Sequence, residues 1–294
     1  MNEPYPSVST LSRPSSRRLP AVVAPPPGLS SHASPVFDED ALARAVDSGK
    51  DMRIVLQPQY DLRTGALVGA ESLIRWRPGA SDVSPGHFIP AVQRLGKKSR
   101  LLQFVFGQIR HLLRRLGRNG PALPISANAS VSTLSTPGLI RALHDSLRRD
   151  GISPRLVKIE ITEQLDLHDM HALAADLQWM REQGFGVSMD DFGTGTSTLE
   201  RLTQLPFSEL KIDRSFVQRM LSEPAAHAVV RATLELGQRL GMDVVAEGIE
   251  NKDQLAVLKV LGCRIGQGYA LSRPLEVDAF IRLASRPPPV RPPG

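Results

Sequence analysis

The stretch MRIVLQPQYDLRTGALVGAESLIRW, residues 52–76, is the most informative part of this chain about its fold. It holds two strand-like apolar runs, 52–60 and 66–76, which are joined only by the turn-prone residues 61–65. Parallel strands need a crossover of about a dozen residues or more, so two strands joined by so short a turn must be antiparallel. We therefore predict that the folded part opens with an antiparallel hairpin.

After this hairpin, segments with helical periodicity alternate with short apolar runs. Such alternation is typical of a parallel sheet. The number of runs favours an α/β fold, a modified TIM (β/α)8 barrel whose first strand is inverted and antiparallel. The predicted helices lie near residues 97–118, 137–150, 167–183, 197–204, 215–240, 251–261 and 276–285.

Polar side chains close the apolar runs at an average spacing of about 33 residues, close to one βα unit of a barrel. Because a barrel gathers its strand ends at one face, we expect these side chains to converge. So many carboxylates would repel one another without cations among them, which predicts a site for hard, oxygen-preferring metal ions. The polar positions are Glu71, Asn128, Glu160, the pair Asp190 and Asp191, Lys211, Glu247 and Gln267.

The segment VKIEITEQL, residues 157–165, predicts a buried strand with an acid in its middle. Alternate residues of a strand face opposite sides, so Glu160 and Thr162 should face one way while Ile159 and Ile161 pack on the other. Glu163 would then lie at the rim. The alternative is an edge strand whose acids are solvated.

The segment MDDFGTGTS, residues 189–197, is the sharpest local signal. Two adjacent acids at a strand end can face two different ions, and Gly193 and Gly195 give a loop that is free to change shape. Asp191-Phe192-Gly193 also matches the metal-binding motif of protein kinases, but the chain lacks the other kinase motifs, so the context excludes a kinase.

Lys211 and Glu247 are predicted at strand ends beside these acids. A lysine held among carboxylates stays charged and can position a metal-bound water or an oxyanion, whereas the alternative is an ordinary surface salt bridge. Glu247 is a candidate for the base that accepts the water proton.

Composition narrows the class of protein further. The 294 residues contain no stretch that would span a bilayer, and the single Cys263 excludes a disulfide framework and a thiolate-rich zinc site. We expect Cys263 to be a small core residue and the seven histidines to be surface or packing residues. The net charge of +6 is spread along the chain without a basic run interleaved with aromatics, so we expect no nucleic-acid partner but attraction for a small anion.

Three regions follow from composition. Residues 1–36 are rich in Pro, Ser and Arg and are predicted to be disordered, residues 37–285 form the folded domain, and residues 286–294 form a Pro-rich tail. The pair Arg17-Arg18 precedes an apolar stretch too short and too rich in proline for an export signal, so we expect a cytoplasmic protein with no membrane association.

Taken together, these residues resemble the EAL-domain family of bacterial cyclic di-GMP phosphodiesterases over about residues 38–285. Eight blocks match in order, which makes the resemblance highly specific. They are QPQYDLRTGALVGAESLIRW, FIP, SANAS, KIEITE, MDDFGTGTSTLERL, LKIDRSFV, VVAEGIE and GCRIGQGYALSRP.

The resemblance implies roles for single residues. It implies two Mg²⁺ or Mn²⁺ ions per site, with Ca²⁺ inhibitory, and a homodimer. Lys211 and Glu247 resemble the residues that order and activate the attacking water, and Gln267 resembles a further substrate-binding polar group. Glu163 is similar to the glutamate that stabilises the mobile DDFGTG loop. The implied metal ligands are Glu71, Asn128, Glu160, Asp190 and Asp191, and the positions that line the dinucleotide are Gln57, Leu73 and Arg75.

The chain departs from the family pattern at a few positions. Ser72 stands where the signature Glu-Ala-Leu has alanine, Thr196 replaces the usual tyrosine, and Val92-Gln93 stands where Ala-Glu is common. These changes bear on loop closure and turnover rate more than on metal binding. The leading hypothesis is hydrolysis of cyclic di-GMP to linear pGpG. The alternatives are a catalytically weak EAL domain that acts as a cyclic di-GMP receptor or protein-interaction module, and a basic regulator acting on nucleic acid.

Overall fold

The computed structural model describes residues 37–117, 120–162, 170–193 and 202–286. The predictions for residues 1–36, for the tail beyond Arg286, and for Glu163, Gly195 and Thr196 lie outside these residues, as does most of the predicted helix 197–204.

One sheet and the helices around it make up the described part. The strands are β1 (Met52–Asp61), β2 (Leu67–Trp76), β3 (Ile125–Ala129), β4 (Val157–Thr162), β5 (Gly186–Phe192), β6 (Glu209–Ile212), β7 (Asp243–Ala246), β8 (Ile265–Gly266) and β9 (Leu275–Glu276). The helices are α1 (Glu39–Ser48), α2 (Pro85–Arg94), α3 (Lys98–Leu116), α4 (Val131–Leu134), α5 (Leu139–Arg149), α6 (Met170–Gln183), α7 (Arg214–Arg219), α8 (Pro224–Leu240), α9 (Lys252–Val260) and α10 (Val277–Ala284), with a 3-10 turn at Pro154–Leu156.

The sheet closes into a barrel. Strands β2 to β8 follow one another in parallel, β1 pairs with β8, and β1 also pairs with β2, which completes the circle. Strand β1 runs antiparallel to β2, to β8 and to the short β9. The predicted TIM-type barrel with an inverted first strand is therefore confirmed.

The turn between β1 and β2 explains the inverted strand. The Asp61 carboxylate accepts hydrogen bonds from the backbone N–H groups of Arg63 (3.1 Å) and Thr64 (2.7 Å) and from the Thr64 hydroxyl (2.8 Å). Gly65 follows with φ 74°, a conformation that costs glycine little. This local network turns the chain back at once, so β2 must lie antiparallel beside β1.

The prediction that the folded part opens with the hairpin is wrong, because helix α1 precedes it. Asp38 caps this helix by accepting a hydrogen bond from the Asp40 N–H (2.9 Å), and Gly49 ends it with φ 75°. Its apolar face packs in a separate hydrophobic cluster that includes the buried Trp76 and Phe88.

The single helix predicted over residues 215–240 is two helices, α7 and α8. Pro224 occupies the first turn of α8, where the missing N–H costs nothing. The residue before a proline avoids helical dihedrals, and Glu223 is extended with φ −120° and ψ 111°. The proline therefore divides the helical pattern.

The main hydrophobic core lies between the sheet and its outer helices. Ile159 and Ile161 belong to this core with at most 1% exposure, whereas Glu160 between them is fully buried on the opposite face of β4. Cys263 is buried as predicted, and burial raises the pKa of its thiol to about 12. Apolar side chains thus surround the barrel, and polar side chains such as that of Glu160 face its interior.

Candidate active site

The predicted polar residues converge inside the barrel, but most of them do not close their strands as the sequence pattern suggested. Glu71 lies in the middle of β2, which continues to Trp76, and Glu160 lies in the middle of β4. Only Glu247 and Gln267 directly follow their strands, β7 and β8. Strand ends inferred from apolar runs fall too early wherever a buried polar residue interrupts the run.

The Lys211 ammonium lies at the centre of the site. Its side chain is 1% exposed, so the alternative of a surface salt bridge is wrong. The Nζ atom lies 2.7 Å from Glu247 Oε1, 2.8 Å from Glu160 Oε2, 3.0 Å from Asp190 Oδ1 and 3.3 Å from Glu71 Oε2. The alternative of an edge strand with solvated acids is also wrong, since β4 lies between β3 and β5.

Side-chain amides hold the carboxylates in place. Asn128 Nδ2, which is exposed to solvent, donates to Glu71 Oε1 (2.9 Å), and Gln267 Nε2 donates to Glu71 Oε2 (2.7 Å) and to Glu247 Oε1 (2.9 Å). Gln59 Nε2 in turn donates to Gln267 Oε1 (3.0 Å). Sequence reasoning missed Gln59, although its two-residue spacing from Gln57 in β1 indicates that both face the barrel interior.

Burial and crowding raise the pKa values of several of these acids. Burial raises the pKa of Glu247 to about 8, and the charges of Glu71 and Asp190 add to this effect. Burial and the Asp190 charge raise the pKa of Asp191 to about 6, and burial with the Glu71 charge holds the pKa of Glu160 well above its usual value. Glu247 is therefore largely protonated at neutral pH when no cation is bound.

Two groups retain their charge. Burial alone would raise the pKa of Glu71, but the Lys211 charge and the hydrogen bonds from Gln267 and Asn128 bring it below its usual value. Burial alone would lower the pKa of Lys211, but the surrounding carboxylates, Glu160 foremost, hold it well above its usual value. Lys211 is thus a permanent ammonium group.

The arrangement fits a divalent cation. Among the described residues, Asp190, Asp191 and Glu247 offer carboxylate oxygens that all lie within 4.8 Å of one another. Glu160 Oε1 is buried and accepts no hydrogen bond within the described part of the chain, and Asp190 Oδ1 is buried with the Lys211 ammonium 3.0 Å away. An all-oxygen donor set that includes an unsatisfied anionic oxygen suits Mg²⁺ or Mn²⁺. Glu71 and Glu160 approach the Lys211 ammonium instead of joining that group.

The predicted substrate-lining residues lie in two different places. Leu73 and Arg75 line a largely apolar cavity of about 350 Å³ that Asn128 also lines. Arg75 Nη1 donates to the Ile74 carbonyl (2.9 Å). Gln57 is buried, and its Nε2 donates to the Ser272 carbonyl (2.8 Å).

The departures from the family pattern are accommodated locally. The Ser72 hydroxyl donates to the Ser126 carbonyl (2.6 Å), so this buried serine has a partner where alanine would need none. Val92 is fully buried in the cluster around Trp76, while Gln93 is exposed.

The fold and this site together define an α/β barrel with an acidic centre of the kind that holds cations. The family model described as the EAL domain matches residues 39–274, so this chain belongs to the EAL-domain family.

Relatives of the chain include named signalling proteins. It is 37% identical over 240 residues to the oxygen sensor protein DosP of Escherichia coli K12, covering 81% of this chain and 30% of DosP. It is 34% identical over 245 residues to the cyclic di-GMP phosphodiesterase RocR of Pseudomonas aeruginosa, covering 83% of this chain and 62% of RocR. The chain therefore spans less than two thirds of the length of either curated relative.

A solved structure is similar throughout the domain. The PaMucR phosphodiesterase in complex with cyclic di-GMP superposes with a TM-score of 0.76 at 31% identity, covering 82% of this chain and 99% of that one. Among the described residues, no helix combines the length and apolar character needed to cross a bilayer.

Proposed function

We propose that this EAL domain hydrolyses one phosphodiester bond of cyclic di-GMP to give linear pGpG, with the aid of divalent cations. The observation that carries the proposal is the buried cluster in which Lys211 contacts four carboxylates from β2, β4, β5 and the end of β7. The similarity to RocR and to the PaMucR complex supports the substrate class.

We propose that two Mg²⁺ or Mn²⁺ ions bind here. The mutual proximity of Asp190, Asp191 and Glu247 supports one of them, and Asp190 with the buried Glu71 and Glu160 and the amide of Asn128 would hold the other. Such cations lower the pKa of a bound water and neutralise charge on the phosphoryl oxygens.

Lys211 and Glu247 then have distinct tasks. The Lys211 ammonium, fixed by its carboxylates, holds the acids in register and provides a positive charge beside the attacked phosphate. Glu247 holds a proton in the cation-free site and would lose it when cations bind, and its carboxylate then accepts the proton of the attacking water. The water oxygen forms a bond to phosphorus while the bond from phosphorus to the 3′ oxygen breaks, and that oxygen leaves and takes up a proton.

Binding of the dinucleotide uses the surface beside the cluster. The Arg75 guanidinium can pair a phosphate in bidentate fashion, and the cavity lined by Leu73 offers apolar surface to a base. Gln57 and Gln267 supply further polar contacts. The homodimer, the inhibition by Ca²⁺ and the cytoplasmic location stay predictions.

The test is nucleotide chromatography of the full chain incubated with cyclic di-GMP, with Mg²⁺ or Mn²⁺ and with a chelator. We expect pGpG only when the metal is present, and a loss of at least about a hundredfold for Glu71→Gln and Glu247→Gln. Glu250→Gln is the matched control, because Glu250 is exposed and contacts Gln218 rather than the cluster. Binding of cyclic di-GMP without any product in either metal would establish a receptor and overturn the proposed hydrolysis.

A further inference from the structure

A second polar layer lies inside the barrel, one level nearer the start of the parallel strands than the carboxylate cluster. We call it the floor layer, and its members are Ser126, Lys158, Ser188 and Glu209. Each lies two residues before a member of the site on the same strand, so it faces the barrel interior. The interior of such barrels is ordinarily filled by branched apolar side chains, so charged groups here call for an explanation.

Lys158 and Glu209 form an ion pair across three strands. Lys158 Nζ donates to Glu209 Oε2, with side chains 16% and 2% exposed. Lys158 is on β4 and Glu209 on β6, so the lysine must cross β5. It crosses at Gly186, its ladder partner, where an added Cβ would lie 2.5 Å from Lys158 Cγ. The glycine therefore provides the path that this ion pair needs.

The same two strands carry a second ion pair of reversed polarity. On β4, Lys158 is followed two residues later by Glu160, and on β6, Glu209 is followed two residues later by Lys211. Glu160 and Lys211 pair at 2.8 Å. The two pairs are thus stacked along the barrel axis. On the first level the cation is on β4 and the anion on β6, and on the next level the two charges are exchanged.

Glu160 is the point where the two levels meet. Ser188 is the ladder neighbour of both Glu160 and Glu209, and Glu160 Oε1 is buried without a hydrogen-bond partner in the described residues. Lys158 lies two residues before Glu160 on the same side of β4, so an ammonium that lost Glu209 would face this unsatisfied carboxylate oxygen.

We propose that Glu209 is a positioning residue for the cation site: it binds the Lys158 ammonium on the floor layer and so keeps Glu160 available to the metal. The inference rests on the proposed function, since it concerns the same site. Without Glu209, Lys158 would compete with the cation for Glu160, as one positive charge displacing another.

The test is Mn²⁺ binding to the full chain without nucleotide, measured by calorimetry. We expect Glu209→Gln to weaken Mn²⁺ binding about tenfold, and Lys158→Met/Glu209→Gln to recover it to within about threefold of the native chain, because the competing ammonium is gone. The matched control is Asp243→Asn. Asp243 is the ladder neighbour of Glu209 on β7, but its side chain is 48% exposed and pairs with Arg264. This variant should bind Mn²⁺ within about twofold of the native chain.

A merely structural role for the ion pair predicts the opposite order, with the double variant no better than the single one. That result, or native-like binding by Glu209→Gln, would overturn the inference. Should Glu209→Gln not fold, Gly186→Ala tests the same point, since its Cβ displaces Lys158, and Lys158→Met added to it should restore binding. Failure of the native chain itself to bind Mn²⁺ would overturn the proposed cation site, and this inference with it.

Discussion

Replacing Lys211 by methionine tests the electrostatic basis of the site. Methionine is unbranched and of similar length, so the change removes the charge while filling most of the volume. In the absence of metal, four carboxylate oxygens within 3.3 Å of the ammonium would lose their common partner. The variant should therefore be less stable, by an amount that depends on pH.

The magnitude follows from burial. Removal of one partner from a buried ion pair costs about 3 to 5 kcal/mol, and the 1% exposure of Lys211 places it in that class. For a chain of this size the loss corresponds to a decrease in Tm of roughly 6 to 20 °C. At low pH the acids of the variant can take up protons, which removes their mutual repulsion. A group whose pKa is raised on folding stabilises the folded state less as the pH rises above the pKa that it has in the unfolded chain. The loss should therefore be larger at pH 8.5 than at pH 5.5.

The assay is thermal unfolding of native and variant chains in chelator at both pH values. Lys97→Met is the control, because Lys97 pairs with Asp47 at 2.8 Å at the surface, with side chains 27% and 55% exposed, and should cost at most about 1 kcal/mol. A Lys211→Met variant with a native Tm at pH 8.5 would show that the carboxylates need no internal counter-charge.

Three further predictions concern protons and positioning. Since burial raises the pKa of Glu247 to about 8, cation binding at pH 7 should release protons, and calorimetry in buffers of different ionisation enthalpy should show it; a buffer-independent enthalpy would contradict the assignment. Because folding raises the pKa of Glu247 from 4.5 to about 8, Glu247 stabilises the metal-free fold less as the pH rises through this range. Unfolding measured in chelator at several pH values will detect this decrease. Gln59→Leu should lower kcat/KM about tenfold, because Gln267 loses the partner that orients it; a native kcat/KM would exclude this role.

Much of the fold follows from local sequence. The hairpin is determined within about ten residues by Asp61 and Gly65, which make a turn whatever the rest of the chain does. Helix α2 was missed because it begins at Pro85 and contains Pro90, and prolines usually mark the end of a helical pattern. Such local signals predict where the chain turns more reliably than where an element starts.

The contacts within the site are harder to predict from sequence than the fold, because they join distant parts of the chain. The two-residue periodicity of β4 placed Glu160 on a polar face, and this proved right. The predicted barrel brings Lys211, Glu160 and Glu71 to one face, but their direct pairing over 51 and 140 residues depends on strand stagger, which no local pattern encodes. The ion pair between Lys158 and Glu209 was not predicted for the same reason, since the Lys158 side chain can cross β5 at Gly186 only in the folded sheet.

The proposed function requires that acids from separate strands hold divalent cations inside this barrel. Anomalous diffraction from crystals of the full chain grown with Mn²⁺ tests it most directly. We expect two Mn²⁺ peaks, one bound by Asp190, Asp191 and Glu247 and one that includes Glu71 and Glu160. Crystals saturated with Mn²⁺ that show no peak among these carboxylates would contradict the proposed function.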